Sequence, residues 1–139
     1  MVSLHSFVKL TANAFMKVKI DTKEIFHVIC PELSELTANM ADGLKQTYTD
    51  LVTKGPKNVV FDLEQVDSID EAVASAFGEM AATAQSEKSS FVICSLQPPV
   101  KKTLESAGLL EHINHTPTQS EAWDIVQMEE IERELDLDI

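Results

Sequence analysis

The spacing of apolar and polar positions changes period several times along the chain, and the sharpest change falls within residues 58–80. Val59, Val60, Phe61 and Leu63 form a short apolar run closed by Asp62 and Glu64. Such a run predicts a strand buried on both faces. Val73, Ala76, Phe77 and Met80 then recur at intervals of three and four, which predicts a helix from about Ser68 to Gln85. Its alanines (Ala72, Ala74, Ala76, Ala81, Ala82, Ala84) favour helix and permit close approach to a sheet. The connection, residues 67–71, joins a strand's carboxyl end to a helix's amino end, where open α/β sheets place their function.

The rest of the pattern fits around this unit. Phe15, Val18 and Ile20 alternate with lysines, and residues 25–30 are apolar on both faces, so the two segments predict an antiparallel hairpin that Pro31 ends. Thr37 to Lys54 reads as a helix with Met40, Leu44, Tyr48, Leu51 and Val52 inward, closed by Gly55-Pro56. Phe91 to Leu96 is a second buried strand. Pro98-Pro99 opens a helix that Gly108 ends, and a short strand follows near Ile113 and His115. Thr118-x-x-Glu121 is a capping box for the last helix. Residues 1–14 match no period, so residues 1–15 are read as an extension of uncertain order, or as sequence upstream of the true start. Residues 128–139 are an acidic helix end or tail. The fold expected is α/β: one domain over residues 16–127, with four helices and a mixed, mainly parallel sheet of four to five strands opening with an antiparallel hairpin.

Charge narrows the choice of partners. Twenty-three acids against 11 bases give a net charge of −12. That field repels nucleic acid, anionic bilayers and phosphate-rich ligands and attracts basic protein surfaces, although it also serves plain solubility. Cys30 and Cys94 lie in apolar runs and form no metal pair, so both are expected in the core in a reducing compartment. His112 and His115 are three apart but in a strand edge and loop, so no metal is expected. No stretch has transmembrane length and the first residues lack a signal-peptide core, so the expected location is cytoplasmic.

Enzyme motifs are missing: there is no glycine-rich phosphate loop, no G-x-S-x-G and no H-E-x-x-H. Asp62 and Asp70 form a conceivable carboxylate pair, against the commoner role of such acids as solvated or capping groups. Ser68-x-x-Glu71 matches a second capping box, and Asp70 and Glu71 both suit the positive end of a helix.

Residues 59–70, Val-Val-Phe-Asp-Leu-Glu-Gln-Val-Asp-Ser-Ile-Asp, resemble the core motif of STAS domains, the fold of bacterial anti-sigma factor antagonists. The helix from Pro99 ending in Gly108-Leu109 and the start of the last helix at Ser120-Glu121-Ala122 resemble the same family. Asp70 stands where that family has its aspartate, and Glu71 where it has the serine that a partner kinase phosphorylates. Ala72 replaces the next serine and Val73 the glycine. Glu71 brings one fixed negative charge, against about −1.5 to −2 for a phosphoserine. It is therefore either a partial mimic of the modified state or only a helix cap. Ser68 and Ser75 are the alternative hydroxyls nearby.

The resemblance implies a non-enzymatic, cofactor-free regulatory module that binds a protein partner, such as a kinase-like anti-sigma factor. The surface expected to bind is Asp67, Ser68, Asp70, Glu71, Ala72 and Ser75, with the segment after Pro31 beside it. Two other functions fit: an accessory subunit of a membrane transporter, and a small-molecule-binding domain. The scarcity of glycines, and of bases near Asp70, argues against an anionic ligand.

Overall fold

A computed structural model describes residues 2–9 and 15–137, with side chains from Met16 to Leu135. In chain order the elements are β1 (Val2–Lys9), β2 (Phe15–Thr22), β3 (Phe26–Pro31), β4 (Glu35–Leu36), a 3-10 turn (Ala38–Met40), α1 (Ala41–Lys54), β5 (Asn58–Asp62), β6 (Ser68–Ile69), α2 (Glu71–Ser86), β7 (Phe91–Cys94), α3 (Pro98–Ser106), β8 (Asn114–Thr116) and α4 (Gln119–Leu137). The main sheet runs β1-β2-β3-β5-β7-β8, and β4 pairs with β6 in a separate two-stranded ladder. β1, β2 and β3 are antiparallel, whereas β3-β5, β5-β7 and β7-β8 are parallel. The expected mixed α/β fold with four helices and an opening hairpin is present. β1 forms where the sequence showed no period, adding an edge strand beside β2; residues 10–14 lie outside the described residues.

Two-residue alternation divides the central strands between two cores. Val59, Phe61 and Ile93 face α1, α2 and α3, together with Leu44, Tyr48, Val73, Phe77, Val100 and Leu104. Val60, Val92 and Cys94 face the other way, onto Ala122 and Val126 of α4. The sheet is thus covered on both sides, which explains why its parallel strands carry continuous apolar runs.

Three details fix the helix ends. Gly108 has a φ of +72°, and the Leu109 amide donates to the Leu104 carbonyl while the Gly108 amide donates to Glu105. This is a Schellman ending of α3. Gly108→Ala should lower stability by about 1 kcal/mol through backbone strain alone, since a Cβ there meets nothing within 4 Å; a urea titration measures it. Gly55 differs from expectation: its φ of −159° is extended, so it closes α1 without the left-handed turn. At α4 the Thr118 hydroxyl accepts the Glu121 amide at 3.2 Å, as the sequence pattern requires.

α4 does not stop near residue 127. Its last turns are bound to the amino end of the sheet through Asn58, which is buried. The Asn58 amide nitrogen donates to the Ile25 carbonyl at 2.9 Å and to Glu130 at 3.0 Å. Its oxygen accepts the Ser90 amide at 2.7 Å and Arg133 at 3.2 Å. Arg133 also donates to Ser90 Oγ and Glu130, and Glu129 accepts from Ser90 Oγ and Asn114. Hydrogen bonds from Arg133 and then Asn58 hold the Glu130 carboxyl below the usual carboxylate range. Residues 138 and 139 lie outside the described residues.

His27 is a buried polar group with both ring nitrogens engaged. Nε2 lies 3.1 Å from the Leu51 carbonyl, which can only accept, so Nε2 carries the proton and Nδ1 accepts from the Thr22 hydroxyl at 3.0 Å. Desolvation lowers its proton affinity, opposed by the carbonyls of Pro56 and Leu51. The unfolded chain takes up the proton near pH 6.5, so the unfolded state binds more protons below that pH and the fold loses stability as the pH falls. Between pH 7 and pH 5 the urea midpoint of the parent should therefore fall further than that of His27→Gln.

Candidate functional site

β5 is buried along its whole length and delivers the chain to the carboxyl end of the sheet. Asp62 turns it: one carboxylate oxygen accepts the Glu64 amide at 3.0 Å and the other accepts Gln119 Nε2 at 2.8 Å. A tight turn follows, with the Val66 amide on the Leu63 carbonyl. The segment after Pro31 then takes over. The Ser34 carbonyl accepts the amides of Asp67 and Ser68 at 2.7 and 3.2 Å, and the Leu36 carbonyl accepts the Asp70 amide at 3.0 Å. Ser68 and Ile69 lie parallel to Glu35 and Leu36. Ile69 is buried beneath this ladder, while Asp67, Asp70, Glu71, Ala72 and Ser75 are exposed and Ser68 is half-buried.

The helix starts later than its sequence suggests. Ser68 is in β6, so the expected Ser68–Glu71 capping box does not form. The N-cap position of α2 falls on Asp70, and Glu71 is the first helical residue. The Asp70 side chain does not cap its own helix either; its Oδ2 accepts the Ala38 amide at 2.8 Å. Ala38 opens the 3-10 turn that leads into α1, so this carboxylate satisfies a free amide at the start of a different helix. The misreading has a physical cause. Ser-x-x-Glu assumes that the backbone before the helix is unpaired, whereas here the amides on either side of Ile69 are taken by residues 34–36. Ser68→Ala should accordingly change stability by less than about 0.5 kcal/mol. Asp70→Ala should cost about 1 kcal/mol by releasing the Ala38 amide; paired thermal melts distinguish the two.

Glu71 and Ser75 lie one turn apart on α2. With Ile69 and Asp70 they form one wall of an open groove of about 630 Å³ whose other wall is α3, at Lys102, Thr103, Ser106 and Ala107. Lys102, Thr103 and Ser106 were not expected at the site; nothing in the sequence periodicity tells which side of α3 faces α2. Asp62 and Asp70 hold separate partners: Asp62 is buried on Glu64 and Gln119, and Asp70 is bound to Ala38. Among the described residues no group of three His, Cys, Asp or Glu side chains is arranged to hold a metal. Burial first, and then the charge of Asp62, push the Cys30 and Cys94 thiols up to about 12, so neither supplies a thiolate. Among the described residues no helix is long and apolar enough to cross a membrane.

The STAS domain model matches residues 19–122, and the chain belongs to the STAS domain family. No curated protein matches the sequence. Among solved structures, a Thermotoga maritima protein described as an anti-sigma factor antagonist is 22% identical with a TM-score of 0.72, over 78% of this chain and 92% of its own. RsbS of Moorella thermoacetica, in a variant with one serine replaced by glutamate, is 21% identical with a TM-score of 0.68, over 79% of this chain and 94% of its own. The anti-sigma factor antagonist SpoIIAA in its unphosphorylated form is 15% identical with a TM-score of 0.66, over 79% and 96%. At these identities the likeness is one of fold.

Proposed function

We propose that this chain is a non-enzymatic regulatory module that docks a protein partner on Asp67, Ser68, Asp70, Glu71, Ala72 and Ser75. The observation that carries the reading is the support beneath this surface. Main-chain bonds from Ser34 and Leu36, and the Asp70–Ala38 bond, hold the turn, while the side chains of Asp67 and Glu71 are left exposed. A surface ordered before contact loses less entropy on binding. The partner class that fits is a signalling protein with a basic docking face, such as a kinase-like anti-sigma factor, because anti-sigma factor antagonists share the fold.

Glu71 stands in place of a phosphoacceptor, so the surface carries a constant charge and is not switched at this position. The substituted RsbS keeps the same fold with glutamate for one serine, so the exchange is compatible with a chain of this shape. The test is capture of the partner from native lysate by the parent, Glu71→Gln, Glu71→Ser and Glu71→Lys, followed by titration of the purified pair. Charge reversal should weaken binding about ten-fold or more, as for a desolvated charged contact. Equal affinity for all four proteins would reduce Glu71 to a helix-start residue. A transporter subunit in the eluate would favour the second function named above.

A further inference from the structure

We propose that the outer face of α4 is a second docking surface, shaped for a basic amphipathic helix of a partner protein. Met128, Ile131 and Leu135 are 56%, 56% and 60% exposed, and they are the large apolar side chains left exposed among the described residues. Their spacing of three and then four puts them on one stripe of the helix, about 10 Å long at 1.5 Å per residue. Two apolar faces of α4 therefore exist: Ala122 and Val126 are buried on the sheet, and this stripe faces outward.

The stripe does not belong to a loose end. Arg133 is bonded to Asn58 and Ser90, and Glu129 to Ser90 and Asn114, so the same turns that present the stripe are fixed to the amino end of the sheet. A partner would meet an ordered helix, with the advantage in binding that preorganisation brings.

Charge selects the occupant. The helical period places Glu132 and Glu134 on the two sides of the stripe and Asp124 on its line toward the amino end, all exposed. α4 contains no lysine, and its one arginine, Arg133, is turned inward to Asn58, Ser90 and Glu130. A second copy of this chain would set acid against acid along the seam, which disfavours a homodimer. A helix with leucine-like residues on one side and lysine or arginine flanking them would bury the stripe and pair with Glu132 and Glu134. This surface lies on the opposite side of the sheet from α1, α2 and α3, so it is separate from the one around Glu71.

The test uses a labelled 18-residue helical peptide with leucine at its a and d positions and lysine elsewhere, titrated into the full chain and followed by fluorescence anisotropy. Met128→Gln, Ile131→Gln and Leu135→Gln, combined in one variant, keep good helix formers at exposed positions, and circular dichroism checks the fold. The combined variant should bind about ten-fold or more weakly than the parent, since apolar anchors dominate such contacts. A peptide of the same pattern with glutamate for lysine should not bind. Equal binding of the lysine peptide by the parent and the combined variant would overturn the proposal, because the acidic field alone would then explain it. So would a parent that sediments as a dimer and a combined variant that does not, since a second copy would then be the occupant.

Discussion

Phe61→Ala should lower the unfolding free energy by about 3–5 kcal/mol, the usual cost of emptying a well-packed aromatic site. Phe61 is fully buried in β5, with its ring against Phe77 of α2 at 5.1 Å and Phe91 of β7 at 5.6 Å between centroids. Both contacts lie in the core between the sheet and α1–α3. Truncation removes the apolar burial, two ring contacts and the filler between a strand and the helix that carries Glu71. Domains of this kind hold only about 5–15 kcal/mol in total, so the variant should be marginal at physiological temperature. Phe61→Leu keeps most of the volume and should cost clearly less. Urea unfolding followed by the Trp123 emission measures both. On the docking surface proposed above, partner binding should fall only as far as the folded fraction does, because the exposed side chains of residues 67–75 are unchanged.

Asn58→Ala should cost roughly 2–4 kcal/mol, since a buried donor or acceptor left unpaired costs ~1–3 kcal/mol. The Ile25 carbonyl and the Ser90 amide both bond this side chain, and Arg133 and Glu130 touch it as well. The loss should be uneven. Amide hydrogen exchange in the last turns of α4 should rise more than in α1, because Asn58 joins α4 to β5 and makes no side-chain hydrogen bond to α1. Glu130 should return toward the ordinary carboxylate range as one of its two donors disappears. A uniform rise in exchange across the domain would show that the clamp stabilises the whole fold and not the helix end.

These elements were unequally legible in the sequence. The fully buried strands, β5 and β7, announce themselves as apolar runs, and Thr118, Gly108 and Pro98 mark their helix ends through local chemistry. What the sequence concealed depends on distant residues. β4 and β6 are two residues each, too short for any period, and they exist because Ser34 and Leu36 offer carbonyls to a turn some thirty residues away. That pairing moved the helix start from Ser68 to Asp70 and sent the Asp70 carboxylate to Ala38. Glu129, Glu130 and Arg133 read as part of an acidic tail because Asn58, Ser90 and Asn114 are far away along the chain. Trp123 is neither wholly core nor free: its ring meets Phe26 edge-on and Lys23 lies over it at 4.8 Å. The sequence offers residues 67–75 as a candidate surface, but neither the α3 wall of the groove beside them nor the main-chain bonds beneath them could be read from it.

The two-residue ladder beneath Asp67 and Ser68 has a bearing on how such a protein changes over generations. Apart from the Asp70 carboxylate and the buried Ile69, the shelf is made of amides and carbonyls, which every residue except proline supplies alike. The identities of the side chains above it can therefore drift while the platform keeps its shape. Exchanging one residue, Glu71→Ser, would alter the charge presented at the first turn of α2 with no remodelling of the scaffold below it.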